Sequence, residues 1–242
     1  MKFIVLKNQE EVGNYVAKMF IDQINKKPNS VLGMATGSSP VPAYEKMVED
    51  HAINNTDWSK VVTFNLDEYV GLEETHEQSY RYFMNDVLLN HVNVNLKNTF
   101  VPNGVAKDLE KEAEKYENLL KKHGPIDLQV LGVGVNGHIA FNEPPAPLDG
   151  KTGIVDLVED TIKANARFFE KESDVPRQGL TMGVGSIMKA KQIILVATGK
   201  NKAEAISKLQ GNDYDENWPC TSLIKHDNAV VVLDEDAASL LK

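Results

Sequence analysis

Apolar residues follow two different patterns along the chain, and the two patterns alternate. Short runs rich in β-branched residues predict buried strands, whereas longer segments with apolar positions three to four residues apart predict amphipathic helices. The predicted strands lie at 3–6, 30–34, 61–66, 128–133, 193–198 and 229–233, and the predicted helices lie at about 9–25, 41–50, 79–90 and 108–122.

This alternation indicates the fold class. Apolar strands separated by helices are typical of parallel pairing with helices on both faces. We therefore predict an α/β fold, a doubly wound and mostly parallel sheet of the Rossmann-like kind. No repeat or Pro/Gly/Ser-rich linker interrupts the sequence, so we expect a single domain over 1–242. Ligands of such sheets bind beyond the carboxyl ends of the strands, which is where functional residues are expected.

Charge and cysteine content narrow the function. The formal net charge of −9 argues against broad nucleic-acid binding, which needs clustered basic residues. An anionic substrate must then be captured by a local positive site. The single cysteine, Cys220, excludes an intramolecular disulfide and fits a reducing compartment. Because the apolar run at 3–6 is too short for a signal peptide or a membrane span, we expect a cytoplasmic protein without membrane or nucleic-acid partners.

Five residues are candidates for binding a phosphate group. Thr36, Gly37 and Ser38 leave backbone N–H groups free before the second predicted helix, where the helix dipole adds positive potential. An ordinary N-cap gives the same pattern, and the Gly-Lys-Ser/Thr ending of a Walker loop is absent. Arg167, between apolar residues, and Lys202, at a later strand–helix turn, suit a phosphate as well, although surface basic residues are usually only solvated.

Two adjacent acids, Asp67 and Glu68, end the third predicted strand. A carboxylate that is half shielded from water has a raised pKa and can serve as a general base. Solvated loop acids, or Asp67 acting as a helix cap, would give the same pattern.

A glycine-rich stretch follows the fourth predicted strand. Gly132 to Gly137 has the Gly-x-Gly-x-x-Gly spacing of a dinucleotide-binding loop. Three features oppose that interpretation. The prolines at Pro144 and Pro145 break the helix that the glycines should open, the loop follows a middle strand, and 151–156 is a poor candidate for the acid-closed strand expected about 20 residues on.

The same stretch carries a candidate acid–base group. His138 follows Asn136 by two residues and precedes Glu143 by five. A neighbouring carboxylate or amide can hold a histidine in one tautomer, so that it acts as acid or base near neutrality. A lone histidine is more often structural. No second His or Cys lies at ligand spacing from these residues, so we expect no metal.

Four stretches taken together resemble glucosamine-6-phosphate deaminase, of the glucosamine/galactosamine-6-phosphate isomerase family. They occur in the order of that family, and the resemblance covers nearly the whole chain. The most specific is Gly-His-Ile-Ala-Phe-Asn-Glu-Pro. The stretches are 33–40, 64–72, 137–144 and 167–169.

The resemblance implies a reaction and a role for each candidate. The family converts glucosamine 6-phosphate and water into fructose 6-phosphate and ammonia, in amino-sugar catabolism. Asp67 matches the base that moves a proton between the first two carbons, and His138 matches the ring-opening acid–base, supported by Glu143 and Asn136. The chemistry needs no redox cofactor or metal. The residues that resemble the phosphate site are Thr36, Gly37, Ser38, Arg167 and Lys202.

One position departs from the family pattern. Many members carry Asp where this chain has Asn136. An amide can orient an imidazole but cannot stabilise an imidazolium by charge, which bears on the strength of His138 as a base and on the pH optimum.

Two other functions share features with this sequence. In 6-phosphogluconolactonase, which resembles this family in fold, the Gly-His segment typically continues toward Ser-Leu-Phe-Pro, whereas this chain has Phe-Asn-Glu-Pro at 141–144. A sugar-phosphate sensor of a transcription regulator would normally carry a DNA-binding module, and no basic helix-turn-helix is left over here.

The resemblance also bears on assembly. The family includes hexamers regulated by N-acetylglucosamine 6-phosphate and shorter, unregulated forms. The chain is of the shorter kind, so we expect a monomer without that control. The segment 143–158 is a candidate lid.

Overall fold

The computed structural model describes the backbone of residues 1–242 and every side chain except those at 160 and 164. Ten strands form two sheets. They are β1 (Lys2–Leu6), β2 (Val31–Met34), β3 (Val62–Asn65), β4 (Asp67–Tyr69), β5 (Thr99–Phe100), β6 (Leu128–Leu131), β7 (Gly153–Asp156), β8 (Gln178–Thr181), β9 (Ile193–Ala197) and β10 (Ala229–Asp234).

Seven α-helices surround the central sheet. They are α1 (Gln9–Lys26), α2 (Val41–Asn54), α3 (Tyr80–Val87), α4 (Leu109–His123), α5 (Glu159–Asn165), α6 (Val184–Ile187) and α7 (Ala203–Lys208). Short 3-10 turns lie at Leu89–His91, Leu96–Asn98, Ala166–Phe168, Glu172–Asp174, Lys200–Lys202 and Pro219–Lys225. Within the described residues, no helix combines the length and the apolarity that crossing a bilayer requires.

The central sheet confirms the predicted fold class. Its seven strands run in the order β1-β10-β9-β6-β2-β3-β5, and every neighbouring pair is parallel. Every residue of β9 and β10 is buried, which explains why both segments are almost continuously apolar in the sequence. The result is a doubly wound, Rossmann-like α/β fold.

Local hydrogen bonds explain where three of the predicted helices begin. The side chain of Asn8 accepts from a backbone N–H of the first turn of α1, Ser79 does the same for α3, and Asp108 does so for α4. Each of these bonds satisfies an N–H group that a helix start leaves without a partner.

A second, smaller sheet was not predicted. Its strands pair antiparallel in the order β4-β8-β7. The chain leaves the central sheet at Asn65, the end of β3, and enters the second sheet at Asp67. Because β7 belongs to this sheet, the candidate lid at 143–158 includes a paired strand.

The strand order locates a ligand site. From β2 the chain continues to β3 and β5 on one side, whereas β6 lies on the other side of β2 and leads to β9 and β10. The carboxyl ends of β2 and β6 therefore flank a topological switch point, where α/β sheets bind their ligands. The loops that follow Met34 and Leu131 lie at this point.

Candidate active site

The loop after β6 folds back on itself and presents His138. The backbone N–H of Gly134 donates to the carbonyl of His138 at 2.9 Å, and that of Gly137 donates to the carbonyl of Gly134 at 3.0 Å. Gly137 has φ +81°, a conformation that side chains disfavour. A Cβ at Gly134 would lie 2.3 Å from the imidazole, so only glycine lets the ring pack over the backbone there.

No helix follows this loop, which argues against the dinucleotide interpretation as the prolines had indicated. The amide of Asn142 instead donates to the carbonyls of Ile139 and Met182, at 2.9 and 2.8 Å. The assessment of 151–156 as a poor strand candidate was wrong, since β7 ends at Asp156. However, β7 is an antiparallel strand of the second sheet, not the neighbouring parallel strand that a dinucleotide fold requires.

Asn136, His138 and Glu143 form one hydrogen-bonded group. The amide nitrogen of Asn136 donates to Oε2 of Glu143 at 2.8 Å, because an ionised carboxylate can only accept. The amide oxygen therefore faces His138, and Nδ1 of the imidazole donates to it at 2.8 Å. This arrangement fixes the tautomer and leaves Nε2 as the free ring nitrogen.

Glu143 supplies the negative charge that Asn136 lacks. Its Oε2 lies 3.3 Å from Nδ1 of His138. Burial alone raises the pKa of Glu143, but the adjacent imidazole of His138 and the hydrogen bonds from Thr161 and Asn136 outweigh burial and hold the pKa below its usual value. The carboxylate is thus kept ionised next to the imidazole.

Asp67 has a different environment. Its side chain is buried, and among the described residues no hydrogen-bond donor is assigned to its carboxylate. Burial raises its pKa to about 8, and the neighbouring charge of Glu68 adds to the shift. A carboxyl with such a pKa can act as a general base near neutral pH.

Glu68 anchors the start of α3. Its carboxylate accepts backbone N–H groups of Tyr69, Tyr80 and Arg81, each at 2.9 Å. Burial nevertheless raises the pKa of Glu68. Successive side chains of a strand point to opposite faces, so Glu68 faces away from Asp67 and serves the helix.

Strand β8 connects Asp67 to the loop of His138. The backbone N–H of Met182 donates to the carbonyl of Leu66 at 2.7 Å, and Asp67 pairs with Thr181 in the antiparallel ladder. The hydroxyl of Thr181 accepts the backbone N–H of Phe141 at 3.2 Å. The segment that contains Asp67 and the loop that contains His138 are far apart in the sequence, and both are hydrogen-bonded to β8.

The loop after β2 leaves space for a ligand. Gly37 has φ +89°, and a Cβ there would meet nothing within 4 Å. Thr36 is half-buried and Ser38 is exposed, and no side chain caps α2, whose N-cap residue is Pro40. Pro40 and Pro42 carry no N–H group, and the N–H groups of Ala43 and Tyr44 donate to the carbonyl of Pro40. Among the described residues no acceptor is assigned to the N–H groups of Gly37 and Ser38, so the loop itself can offer them to an anion. The buried hydroxyl of Tyr44 holds the loop, donating to the carbonyl of Ala35 at 2.6 Å and accepting its N–H at 3.1 Å.

Arg167 and Lys202 lie near one another. Burial lowers the pKa of Lys202, and the positive charge of Arg167 lowers it further. The guanidinium of Arg167 stacks over the ring of Phe168, 4.7 Å from its centroid. Among the described residues, neither cation forms an ion pair with an acid. Two neighbouring cations without a counter-charge are suited to an anion, although no recorded contact joins them to the loop of Thr36.

Sequence reasoning missed three supporting residues. Thr161, on α5, donates its hydroxyl to Oε1 of Glu143. Asn165, one turn later, donates to the hydroxyl of Tyr69 at 2.7 Å. Tyr44 holds the loop after β2, as described above. Positions 161 and 165 are four residues apart, so the sequence predicts that both lie on one face of a helix. The sequence does not indicate which groups they contact. Within the described part of the chain, no cluster of three His, Cys, Asp or Glu side chains could hold a metal ion.

Comparisons with known proteins give a consistent result. Residues 7–232 match the family described as glucosamine-6-phosphate isomerases/6-phosphogluconolactonase. A protein of Thermoanaerobacter sp. (strain X514) named glucosamine-6-phosphate deaminase is 49% identical over 241 residues, covering 100% of this chain and 95% of its own. A protein of Clostridium perfringens (strain 13 / Type A) with the same name is 48% identical over 242 residues and 100% of both chains.

Solved structures extend the comparison. One described as a monomeric glucosamine-6-phosphate deaminase has a TM-score of 0.97 and 40% identity, and covers 99% of this chain and 100% of its own. A 6-phosphogluconolactonase from Trypanosoma brucei has a TM-score of 0.81 at 17% identity, with 100% and 98% of the chains covered. The second likeness shows the fold alone.

Proposed function

The chain belongs to the family of glucosamine-6-phosphate isomerases and 6-phosphogluconolactonases, and we propose that Asp67 and the group around His138 carry out its reaction. That reaction converts glucosamine 6-phosphate and water into fructose 6-phosphate and ammonia. The chain is thus an enzyme of amino-sugar catabolism. The roles of Asp67 and of the group around His138 rest on one contrast. Asp67 is a buried carboxyl to which no donor is assigned among the described residues, whereas Glu143 is an ionised carboxylate that accepts hydrogen bonds.

Ring opening is the task of His138. The cyclic sugar opens when the C1 hydroxyl loses a proton and the ring oxygen gains one. The free Nε2 of His138 accepts and returns that proton, because Nδ1 is committed to Asn136. The ionised Glu143, 3.3 Å from Nδ1, stabilises the ring while it carries the extra proton.

Proton transfer between carbons is the task of Asp67. In the open sugar the hydrogen on C2 is acidic, because it lies beside the C1 carbonyl. Asp67 removes it while the C1 oxygen gains a proton, which gives an enolamine. A proton is then delivered to C1 and the nitrogen loses one, which leaves an imine at C2. Water adds to the imine and ammonia departs, so that a ketone remains. A base with a pKa near 8 is strong enough for this step and is partly ionised at neutral pH.

The phosphate group attaches the substrate to the enzyme at the end of the sugar that lies away from the reacting carbons. We assign its binding to the open loop at Thr36, Gly37 and Ser38 and to the cations of Arg167 and Lys202. Binding energy gained there positions the other end of the sugar.

We also propose a domain organisation, an assembly state, a location and a mode of regulation for the chain. The chain forms one sugar-phosphate isomerase/deaminase domain over 1–242. It acts as a monomer, as does the solved relative described as monomeric. It works in the cytoplasm, where a charged phosphorylated sugar is retained. N-acetylglucosamine 6-phosphate does not activate it.

The test is product analysis. Purified protein mixed with glucosamine 6-phosphate should release ammonia and fructose 6-phosphate in equal amounts, with the same rate in the presence of N-acetylglucosamine 6-phosphate. A parallel assay offers 6-phosphogluconolactone. Hydrolysis of the lactone without release of ammonia would contradict the proposal.

A further inference from the structure

The carboxylate of Glu143 is held from two sides by different elements. On one side, Oε2 accepts from Asn136 and faces His138, both of which belong to its own loop. On the other side, Oε1 accepts from the hydroxyl of Thr161. Thr161 lies on α5, so this second contact ties the loop after β6 to a helix that begins 16 residues farther along.

The hydroxyl of Thr161 is used for the bond to Glu143 and not for a bond within its own helix. A threonine in a helix can turn its hydroxyl back to a carbonyl of the preceding turn, but this one is buried and bonds to Glu143 instead. Within the described residues it is the only donor recorded for Oε1 of Glu143. Without it, one oxygen of a buried carboxylate would lose its donor and the carboxylate would be free to rotate.

We propose that Thr161 is a positioning residue for the reaction, because it fixes Oε1 of Glu143 and thereby keeps Oε2 directed at Asn136 and Nδ1 of His138. This inference rests on the proposed function, in which Glu143 supports ring opening. Thr161 itself contacts neither the sugar nor the transferred proton. Its effect passes through the orientation and the charge of Glu143.

The electrostatics agree with this geometry. Burial opposes the ionised form of Glu143, whereas the adjacent imidazole of His138 and donation by Thr161 and Asn136 favour it and lower its pKa overall. Among the described groups that act on Glu143, His138 is the titratable one, and Thr161 and Asn136 are neutral. Removal of one donor should therefore raise the pKa of Glu143.

The decisive variant is Thr161→Val, which keeps the branched shape of the side chain and removes the hydroxyl. We expect kcat to fall about tenfold while KM changes less than about twofold. The acid limb of the kcat/KM profile should move to higher pH. Thr161→Ser, which restores a hydroxyl, should recover both kcat and the pH profile.

Thr152→Val is the matched control. Thr152 donates its buried hydroxyl to Glu117 at 2.7 Å, so the variant removes the same kind of bond from a glutamate that the mechanism does not use. We expect similar losses of melting temperature in Thr152→Val and Thr161→Val, and an unchanged kcat and pH profile in Thr152→Val. If Thr161→Val keeps the normal kcat and pH profile, or if Thr161→Ser fails to rescue it, the inference is wrong.

A second measurement needs no substrate. Titration of ¹³C-labelled glutamate carboxyls by NMR should show the midpoint of Glu143 at higher pH in Thr161→Val and back at its original pH in Thr161→Ser. An unchanged midpoint overturns the inference whatever the activity. A shifted midpoint in a protein that releases no ammonia overturns the proposed function instead, and with it the part given to Thr161 in that reaction.

Discussion

Asp67 and Glu143 are both shielded carboxyls at the same edge of the sheet, yet they lie in opposite surroundings. Glu143 receives hydrogen bonds from Asn136 and Thr161 and faces Nδ1 of His138 at 3.3 Å. Among the described residues, no donor is assigned to Asp67. The pKa of Asp67 is raised to about 8, whereas that of Glu143 lies below its usual value.

The difference between these two carboxyls follows from their partners, since donors and the nearby imidazole outweigh burial at Glu143, whereas burial acts unopposed at Asp67. Both groups are shielded from water, but only Glu143 has partners that favour its charged form. Opposite shifts of two carboxyls suit them to different tasks in one reaction. Asp67 can take up and release a proton near neutrality, whereas Glu143 stays charged and supports an imidazole.

The largest expected effect comes from removing the base. Asp67→Asn keeps the shape and the neutral state of the group but cannot accept a proton, so the rate of ammonia release should fall about 10²- to 10⁴-fold. Binding of fructose 6-phosphate, measured by calorimetry, should change little. The control is Asp57→Asn, an exposed position that should retain normal activity. More than a tenth of the normal rate in Asp67→Asn would remove Asp67 from its role.

Asp67 and the group around His138 both act on a substrate that is held through its phosphate. Arg167→Ala removes one of the two neighbouring cations, so it should raise KM by about 10- to 100-fold and leave kcat within a few-fold. Steady-state kinetics on glucosamine 6-phosphate measure both constants. Lys200→Ala, at an exposed lysine of the same turn as Lys202, is the control. An unchanged KM in Arg167→Ala would show that the phosphate binds elsewhere.

Asn136→Asp makes the surroundings of Glu143 more like those of Asp67. The change removes the donor to Oε2 and adds a like charge, so the pKa of Glu143 should rise. The acid limb of the kcat/KM profile should move to higher pH, and the rate near pH 6 should fall by about tenfold. A profile that moves to lower pH instead would show that the amide is not a donor to Glu143.

Stability should depend on pH with opposite signs at the two carboxyls. The raised pKa of Asp67 means that the folded state binds an extra proton between about pH 4 and 8, so ionisation destabilises the fold by up to about 1.4 kcal/mol per pH unit in that range. Asp67→Asn should therefore gain stability over the normal protein as the pH rises from 4 to 8. The lowered pKa of Glu143 gives the reverse, since its ionised form stabilises the fold above the unfolded pKa.

Glu143→Gln tests the other half of this prediction. It should be less stable than the normal protein at pH 7, and the difference should disappear as the pH falls through the lowered pKa of Glu143. Urea unfolding at several pH values measures both variants. The same sign of slope for both would contradict the comparison.

Much of this site was predictable because its residues follow strands. Asp67 ends a predicted apolar strand, and the prolines after His138 argue against a nucleotide loop from the sequence alone. The parallel sheet followed from β9 and β10, whose apolar runs reflect complete burial.

Other features depend on pairing between distant segments. The dry surroundings of Asp67 arise because β4 turns into a second sheet against β8, and a three-residue strand leaves little pattern in the sequence. The bond from Thr161 to Glu143 joins a helix to a loop 18 residues away. Hydrophobic periodicity identifies a helix face but not the partner of a hydroxyl on it.

The central claim is that Asp67 is a carboxyl poised near neutral pH, and its own titration tests this most directly. In ¹³C NMR of aspartate-labelled protein, the resonance absent from Asp67→Asn identifies the group. The account predicts a midpoint at about 8, far above that of an exposed aspartate. A midpoint near the ordinary value of about 3.9 would contradict it.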